Sequence, residues 1–185
     1  GQEIQFGVKG GVNLATVKYL NEDNSRARIG WNAGAIVELP VQEDLFIRPE
    51  IGYSSKGFGY SATGTGRAGS VRLNYVAVPV LAGYRANKNL SFLAGPEFGF
   101  LQKAASISQG ISSNITNSFR KFDVGVDVGV TYSLNRYTGL DLRYNYGFKD
   151  LVNVGYTDAN DNLIGQGRTG ANRVFQIGIY YWLSQ

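Results

Sequence analysis

The sequence predicts an all-β fold, an eight-stranded antiparallel up-and-down transmembrane β-barrel that forms a single domain over residues 1–185. Apolar and polar residues alternate along eight segments, as in strands whose successive side chains point to opposite faces. The connections between these segments alternate between long and short along the chain. The composition, with 25 glycines, 12 tyrosines, 10 phenylalanines and only 4 prolines, favours strands and turns over helices.

The eight segments follow one another with no sustained helical spacing of apolar residues. Each is long enough to cross a bilayer as a tilted strand, which needs roughly 9–11 residues. Eight strands close into a barrel just wide enough for side chains to fill it. In chain order, the segments cover residues 3–14, 27–39, 45–57, 70–84, 89–100, 119–134, 140–150 and 173–183.

The first three segments and the last four each have one apolar and one polar face. For the first three, representative apolar and polar residues are, in order, Phe6 and Lys9, Trp31 and Glu38, and Ile51 and Glu50. For the last four, they are Phe92 and Glu97, Val126 and Asp127, Leu142 and Arg143, and Ile177 and Gln176. The fourth segment is apolar on both faces beyond Asn74, so the sequence leaves its inward face open.

Three prolines interrupt this pattern. Pro49, Pro79 and Pro96 fall inside the third, fourth and fifth segments, where each removes one ladder hydrogen bond. All three lie at a similar distance from the short connections. We therefore expect bulges at a common height, the alternative being that these stretches are not strands.

The connections predict which way the barrel stands. Four long, polar connections cover residues 15–26, 58–69, 102–118 and 151–172, and the short ones cover 40–44, 85–89 and 135–137. In an up-and-down meander all four long loops lie at one end. Short periplasmic turns opposite long extracellular loops are typical of bacterial outer-membrane barrels. The first residues, GQEIQ, look like a mature terminus after removal of a signal peptide or like a remnant of cloning, and the sequence leaves both open.

The two faces of the strands predict a charged lumen and a lipid-facing wall. Inside a narrow barrel, charges must pair, because an unpaired buried charge costs several kcal/mol. Glycines between the charges fit a crowded interior. The predicted lumen charge network is Lys9, Arg28, Glu38, Arg48, Glu50, Lys56, Glu97, Lys121, Asp123, Asp127, Asp141 and Arg143. The predicted lipid-facing residues are Phe6, Val8, Trp31, Ile51, Phe92, Val126, Val128, Leu142, Tyr144, Tyr146, Ile177 and Ile179. An interfacial girdle is predicted at Trp31, Tyr53, Tyr132, Tyr181 and Trp182.

The composition argues against several functions. The chain has no histidine and no cysteine, so it lacks a Ser-His-Asp triad and imidazole or thiolate metal ligands. We expect no enzyme activity, no cofactor and no metal site, and Asp123 and Asp127 are interpreted as parts of a salt-bridge network. The basic residues are scattered, so no nucleic-acid partner is expected.

Two short motifs are interpreted as loops. GTGRAG, Gly64 to Gly69, matches a glycine-rich nucleotide fingerprint, but a strand follows it where a helix is required. DANDN, Asp158 to Asn162, offers calcium-type oxygen ligands without the glycine and glutamate of a calcium loop. A turn is favoured there, with weak calcium binding left open.

Several stretches resemble a known family. FGVKGGVNLATV, FIRPEIGYSSKGFGY, LNYVAVPVLAGY, KFDVGVDVGVTY, LDLRYNYGFKDLVN and VFQIGIYYWL resemble successive strands of the outer-membrane β-barrel proteins of Bacteroidetes-type bacteria, which include the PorT-like proteins. The resemblance implies an eight-stranded barrel in the outer membrane and, for PorT itself, a part in type IX secretion. Relatives often carry glutamate where this chain has Ala77.

The function expected is structural or interactive. Outer-membrane lipid is the expected surrounding, an envelope or extracellular protein is the expected partner through the long loops, and the protein is expected to be a monomer. One alternative is an accessory role in type IX secretion. The other is a soluble, lipocalin-like carrier with the apolar face inward and a ligand cavity lined by Phe6, Trp31, Val126 and Tyr144.

Overall fold

The protein is described by a computed structural model. The structure describes residues 3–18, 25–26, 28–60, 69–108, 111–114, 122–148, 152–157, 163–169 and 171–184. All regular elements within these ranges are β-strands. In chain order they are β1 Gln5–Lys18, β2 Ser25–Arg26, β3 Arg28–Pro40, β4 Leu45–Tyr60, β5 Gly69–Arg85, β6 Leu90–Ser108, β7 Ile111–Asn114, β8 Phe122–Ser133, β9 Thr138–Gly147, β10 Val152–Thr157, β11 Leu163–Thr169 and β12 Ala171–Trp182.

Eight of these strands close into a barrel, which confirms the predicted fold class. Around the ring the order is β4, β3, β1, β12, β9, β8, β6 and β5, and β5 pairs back with β4. Every pairing is antiparallel, and sequence neighbours β8 and β9, or β5 and β6, lie side by side. Closure leaves no open edge in the ring, as a sheet in a bilayer requires. None of the described segments is a helix of the length and apolarity that crossing a membrane would need.

The alternation of faces is clearest in β9. Leu142 is 43% exposed while Arg143, next to it, is 1% exposed. The apolar residue points away from the barrel axis and the arginine points into the lumen, because neighbours on a strand face opposite sides. The same parity holds in β12, where Ile177 is 53% exposed and Gln176 is buried.

The inward face of β5, which the sequence leaves open, is formed by its odd-numbered residues. Leu73, Tyr75 and Leu81 are fully buried. Leu73 pairs with Lys56 of β4 and Tyr75 pairs with Ser54. Directly paired residues share a face, so the polar interior of β4 determines which face of β5 turns inward. One wall of the lumen is therefore apolar.

The strand prolines lie at one height but form no bulges, so the predicted bulges are wrong. The pairing register is the same on both sides of Pro49, Pro79 and Pro96, because each removes one donor without adding a residue. Their partners on the following strands are, in order, Val80, Glu97 and Val126. The register shift between β5 and β6 lies elsewhere, opposite Tyr75, where Gln102 is the extra residue.

Strands also continue into segments predicted as loops. β4 runs to Tyr60 and β6 to Ser108, while β2, β7 and the β10–β11 hairpin lie wholly within predicted loops. Beyond the apolar band both faces of a strand meet water, so the two-residue hydrophobic period that marks a strand disappears there. The short connections are turns of residues 41–44, 86–89 and 134–137, as predicted.

Candidate functional site

The structure places most of the predicted lumen charges inside the barrel. Lys9 has a side chain 13% exposed, and Arg28 is half-buried, its Nη1 donating to the Lys56 carbonyl at 3.4 Å. Lys121 lies outside the described residues. The remaining nine are each at most 5% exposed: Glu38, Arg48, Glu50, Lys56, Glu97, Asp123, Asp127, Asp141 and Arg143.

The centre of the lumen is spanned by an arginine–carboxylate pair. Arg143 Nη1 and Nη2 donate to Glu50 Oε2 and Oε1 at 2.8 and 2.9 Å. Arg143 Nη2 also donates to Asp141 Oδ2 at 2.8 Å, and Lys9 Nζ lies 2.8 Å from Glu50 Oε2. A bidentate pair of this kind is stronger and more directional than a single charged contact.

This pair joins opposite sides of the barrel. Glu50 stands on β4 and Arg143 on β9, four positions apart in the ring of eight. The pair and its neighbours Lys9 and Asp141 are called the crossbar below. Because its ion pairs link β1, β4 and β9, the crossbar ties together strands that are distant in sequence.

A second cluster fills the lumen between the crossbar and the loop end. Lys56 Nζ lies 2.5 Å from Glu97 Oε1, and both residues are buried. The Lys56 ammonium also lies 5.5 Å from the centre of the Tyr75 ring on the apolar wall. Asn145 Nδ2 donates to Asp127 Oδ1 at 2.6 Å, and Asp127 Oδ2 is 3.6 Å from Arg143 Nη1.

Towards the short turns, a carboxylate is shared by two arginines. Arg48 Nη2 donates to Glu38 Oε2 at 2.7 Å, and Arg85 donates to the other oxygen of Glu38. The Arg48 guanidinium carbon lies 5.3, 5.5 and 5.4 Å from the ring centres of three aromatic residues, a cation–π arrangement. Those residues are Phe46, Tyr180 and Trp182.

Below this shared carboxylate the barrel opens into a cavity of ≈ 480 Å³ at the short-turn end, called the vestibule here. Charged and hydrogen-bonding side chains line it, with Tyr180 and Trp182 as its aromatic part. By contrast, the cavity beside Lys9, Glu50 and Arg143 measures only ≈ 30 Å³. Among these cavities, the vestibule is the one with room for an organic ligand.

Several residues of this interior do not belong to the predicted charge network. Asn13 donates to Ser54 Oγ and to the Ser55 carbonyl, both at 2.9 Å, and is fully buried. Asn13 and Asn145 stand at polar positions of clearly alternating strands, so the alternation of faces alone predicts that both point inward. Arg85 was missed because it ends its strand, where alternation no longer identifies a face.

The predicted lipid-facing residues all stand on the outer face, where Val126 is partly covered and the rest are at least 40% exposed.

The predicted girdle is wrong at Trp182, which is 6% exposed and packs with Ile36 and Tyr180 inside the barrel. Even-numbered residues of β12 point inward, so Trp182 lies on the same inner face as Tyr180. Trp31 and Tyr53 do pair outside, with ring centres 5.3 Å apart.

Within the part of the chain that the structure describes, no group of three or more acidic residues could hold a metal ion. The DANDN segment, Asp158 to Asn162, lies outside the described residues. So do residues 64–68 of the GTGRAG segment.

A closed antiparallel ring with an apolar outer wall and an ion-paired interior defines the class of transmembrane β-barrels. The chain belongs to the outer membrane protein beta-barrel domain family, whose sequence model matches residues 1–153. The protein is therefore a small β-barrel of the outer membrane. A comparison with curated proteins finds no match.

Solved outer-membrane barrels share this fold over nearly the whole chain. Ail of Yersinia pestis, solved in complex with the heparin analogue sucrose octasulfate, is 18% identical, with a TM-score of 0.57 over 98% of this chain and 100% of Ail. Neisserial surface protein A is 13% identical, with a TM-score of 0.60 over 97% of this chain and 99% of its own. A major outer membrane protein from Thermus thermophilus is 15% identical, with a TM-score of 0.54 over 98% of this chain and 100% of its own. At these identities the likeness shows the fold.

These findings do not favour the lipocalin-like alternative. That reading requires Phe6, Trp31 and Tyr144 to line an internal cavity, whereas they are 52%, 54% and 40% exposed on the outer wall. Apart from the apolar wall on β5, many interior positions are instead taken by charged and polar side chains. A carrier of a hydrophobic ligand would need the opposite arrangement.

Proposed function

We propose that the protein is a closed, non-enzymatic outer-membrane barrel whose task is to hold an interaction surface at its loop end. The observation that supports this is the unequal length of the strands. β5 and β6 have 17 and 19 residues, against 10 in β9 and the roughly 9–11 that cross a bilayer. One side of the barrel therefore continues well past the apolar band.

The continuing strands form one sheet. β2 pairs with the end of β4, β4 with β5, β5 with β6 and β6 with β7, so five strands lie side by side at the loop end. We call this extension the platform. Its outermost described strand, β7, is exposed throughout, and Ile111 at its start is 70% exposed. A sheet that ends in an exposed strand offers backbone hydrogen-bonding groups to a protein partner in the envelope or outside the cell.

The ion pairs across the lumen support the same proposal. A barrel crossed by ion pairs between opposite walls leaves little room for solutes, which favours an interaction role over transport. In planar bilayers, the wild-type protein should show no conductance steps, and the double variant Glu50→Ala with Arg143→Ala should show small ones. Large, steady steps from the wild-type protein would contradict a closed lumen.

Single cysteines test the orientation and the partner, because the natural chain has no cysteine. Ser112→Cys places a thiol on exposed β7, and Asn87→Cys places the control on an exposed short turn. In intact cells, a membrane-impermeant maleimide should label the first and spare the second. The reverse labelling would place the platform in the periplasm.

A cross-linker attached at the same two positions then identifies the partner. Ser112→Cys should capture one defined protein that Asn87→Cys does not. If that protein is a component of type IX secretion, the accessory role implied by the resemblance to PorT-like proteins is supported. Capture of the same proteins at both positions would count against a dedicated platform.

A further inference from the structure

We propose that the vestibule is a binding site for a small organic anion that carries two or three negative charges. The site lies at the short-turn end, away from the platform, and is independent of the function proposed above. Its volume of ≈ 480 Å³ falls within the range of small-molecule sites, roughly 300–1,000 Å³.

The charges around the vestibule favour an anion. Its titratable lining carries four cations, Arg48, Arg85, Lys88 and Arg136, and two acids, Glu3 and Glu38. These six side chains leave an excess of two positive charges around one cavity. Low-dielectric walls concentrate such a field on a ligand inside a cleft.

The contacts of Glu38 show that this end of the barrel binds a carboxylate through two arginines. Glu38 already lies between Arg48 and Arg85, accepting from both guanidinium groups. Arg85 is the more accessible of the two, with a side chain 28% exposed against 3% for Arg48. A ligand carboxylate or phosphate entering the vestibule would therefore meet Arg85 first, with Lys88 at the adjoining turn.

Arg48 is held in place independently of any ligand. Its guanidinium lies among the rings of Phe46, Tyr180 and Trp182, and the residue is 2% exposed. Within the described structure, Arg48 Nε and Nη1 make no hydrogen bond, and Nη1 is 4.0 Å from Asp141. A buried guanidinium with donors to spare stabilises additional negative charge nearby, because its own desolvation is incompletely compensated.

The two sides of the lining specify a class of ligand. The cations and the hydroxyl groups of Ser91 and Ser133 suit carboxylate or phosphate oxygens, while Tyr180 and Trp182 suit a compact apolar body. Citrate represents the carboxylates and inorganic phosphate the phosphates. Saturable binding of either one supports the site, and the tighter of the two identifies the anionic group.

The fluorescence of Trp182 can report binding, because Trp182 lines the vestibule. Of the two tryptophans, Trp31 stands on the outer wall, so Trp31→Phe leaves Trp182 as the sole reporter. Citrate and phosphate are titrated into the detergent-folded variant at constant ionic strength. We expect a saturable change of Trp182 emission with a Kd of about 1 mM or tighter.

Variants that are expected to change the affinity for the anion in opposite directions make the test specific. In the Trp31→Phe background, Arg85→Gln should weaken binding about tenfold, because one charge-assisted hydrogen bond is lost. Glu38→Gln should tighten it about tenfold, because both arginines lose their internal carboxylate. Arg72→Gln, an exposed cation on the platform side, should leave binding unchanged.

Three results would overturn the proposal: no saturable change with either anion, the same affinity after Arg85→Gln, or weaker binding after Glu38→Gln in a folded barrel. Heat-dependent mobility on gels shows whether each variant is folded. If Glu38→Gln fails to fold, Lys88→Gln replaces it, with weaker binding expected and unchanged binding counting against the site.

Discussion

Arg143 and Glu50 join opposite walls of the barrel through two hydrogen bonds of 2.8 and 2.9 Å, although they are 93 residues apart in the chain. Arg143 is 1% exposed and Glu50 is 5% exposed. Neither charge would be tolerated there alone, since each depends on the other and on neighbours such as Lys9 and Asp141. The crossbar is thus where the stability of the interior should be most sensitive to substitution.

Replacing Arg143 by methionine should destabilise the barrel strongly. The change leaves Glu50 and Asp141 buried with Lys9 beside Glu50 and Arg48 Nη1 4.0 Å from Asp141 as the remaining cations. We expect a loss of about 3–5 kcal/mol in the free energy of unfolding. Urea unfolding in lipid vesicles, followed by tryptophan fluorescence, measures it. The matched control is Arg72→Met, an exposed arginine, which should change stability by no more than about 0.5 kcal/mol. Equal effects of the two changes would contradict the crossbar.

The Lys56–Glu97 pair should behave as a coupled unit. Its Nζ–Oε1 distance is 2.5 Å and both side chains are buried. Lys56→Met alone leaves the carboxylate uncompensated and should cost about 3 kcal/mol. Adding Glu97→Gln removes that carboxylate, so the double variant should be more stable than the sum of the single changes predicts, by about 1 kcal/mol or more. A double-mutant cycle in urea measures the coupling, and strict additivity would show that the two side chains do not depend on each other.

A charge on the outer wall should be tolerated near the short turns and not near the middle of the wall. Leu142 lies midway along β9 and is 43% exposed, while Leu183 follows the end of β12 and is 66% exposed. Leu142→Arg should destabilise the barrel folded in vesicles by about 2–4 kcal/mol, and Leu183→Arg by about 0–1 kcal/mol. The comparison measures the depth of each position in the bilayer. If Leu142→Arg folds as well as the wild-type protein, the outer wall does not face lipid.

Glycine at position 83 should be required by packing. A Cβ atom added there would overlap the ring of Phe46, which belongs to the aromatic surroundings of Arg48. Gly83→Ala should therefore destabilise the barrel by about 1–3 kcal/mol. Gly10→Ala is the control, because its nearest neighbour would be the Asn32 carbonyl oxygen at 3.7 Å. Thermal unfolding on gels compares the two, and an unaffected Gly83→Ala would show that Phe46 can move aside.

The wall of the barrel could be predicted from the sequence with little loss. Alternation determined that Leu142 and Tyr144 face outward while Asp141 and Arg143 face inward, since parity on a strand depends only on position. Alternation predicts no inward face on β5, where both faces are apolar. It also fails to mark a strand beyond the apolar band, where neither face is apolar. The same alternation along β12 predicts that Trp182 points inward. The prediction of an aromatic girdle placed it outside instead.

By itself, then, the sequence determined the number of crossing strands, the side on which each clear strand carries its charges and the absence of histidine and cysteine chemistry. Only the tertiary structure decided which charges meet. Whether Arg143 pairs with Glu50 or with Asp127 depends on the register and stagger of strands that are distant in the chain. The vestibule has the same origin, because Tyr180 and Trp182 reach the cavity beside Arg48 only once β12 pairs with β1 and closes the ring. Local pattern determines which face a side chain takes, but closure of the sheet determines its neighbours across the lumen.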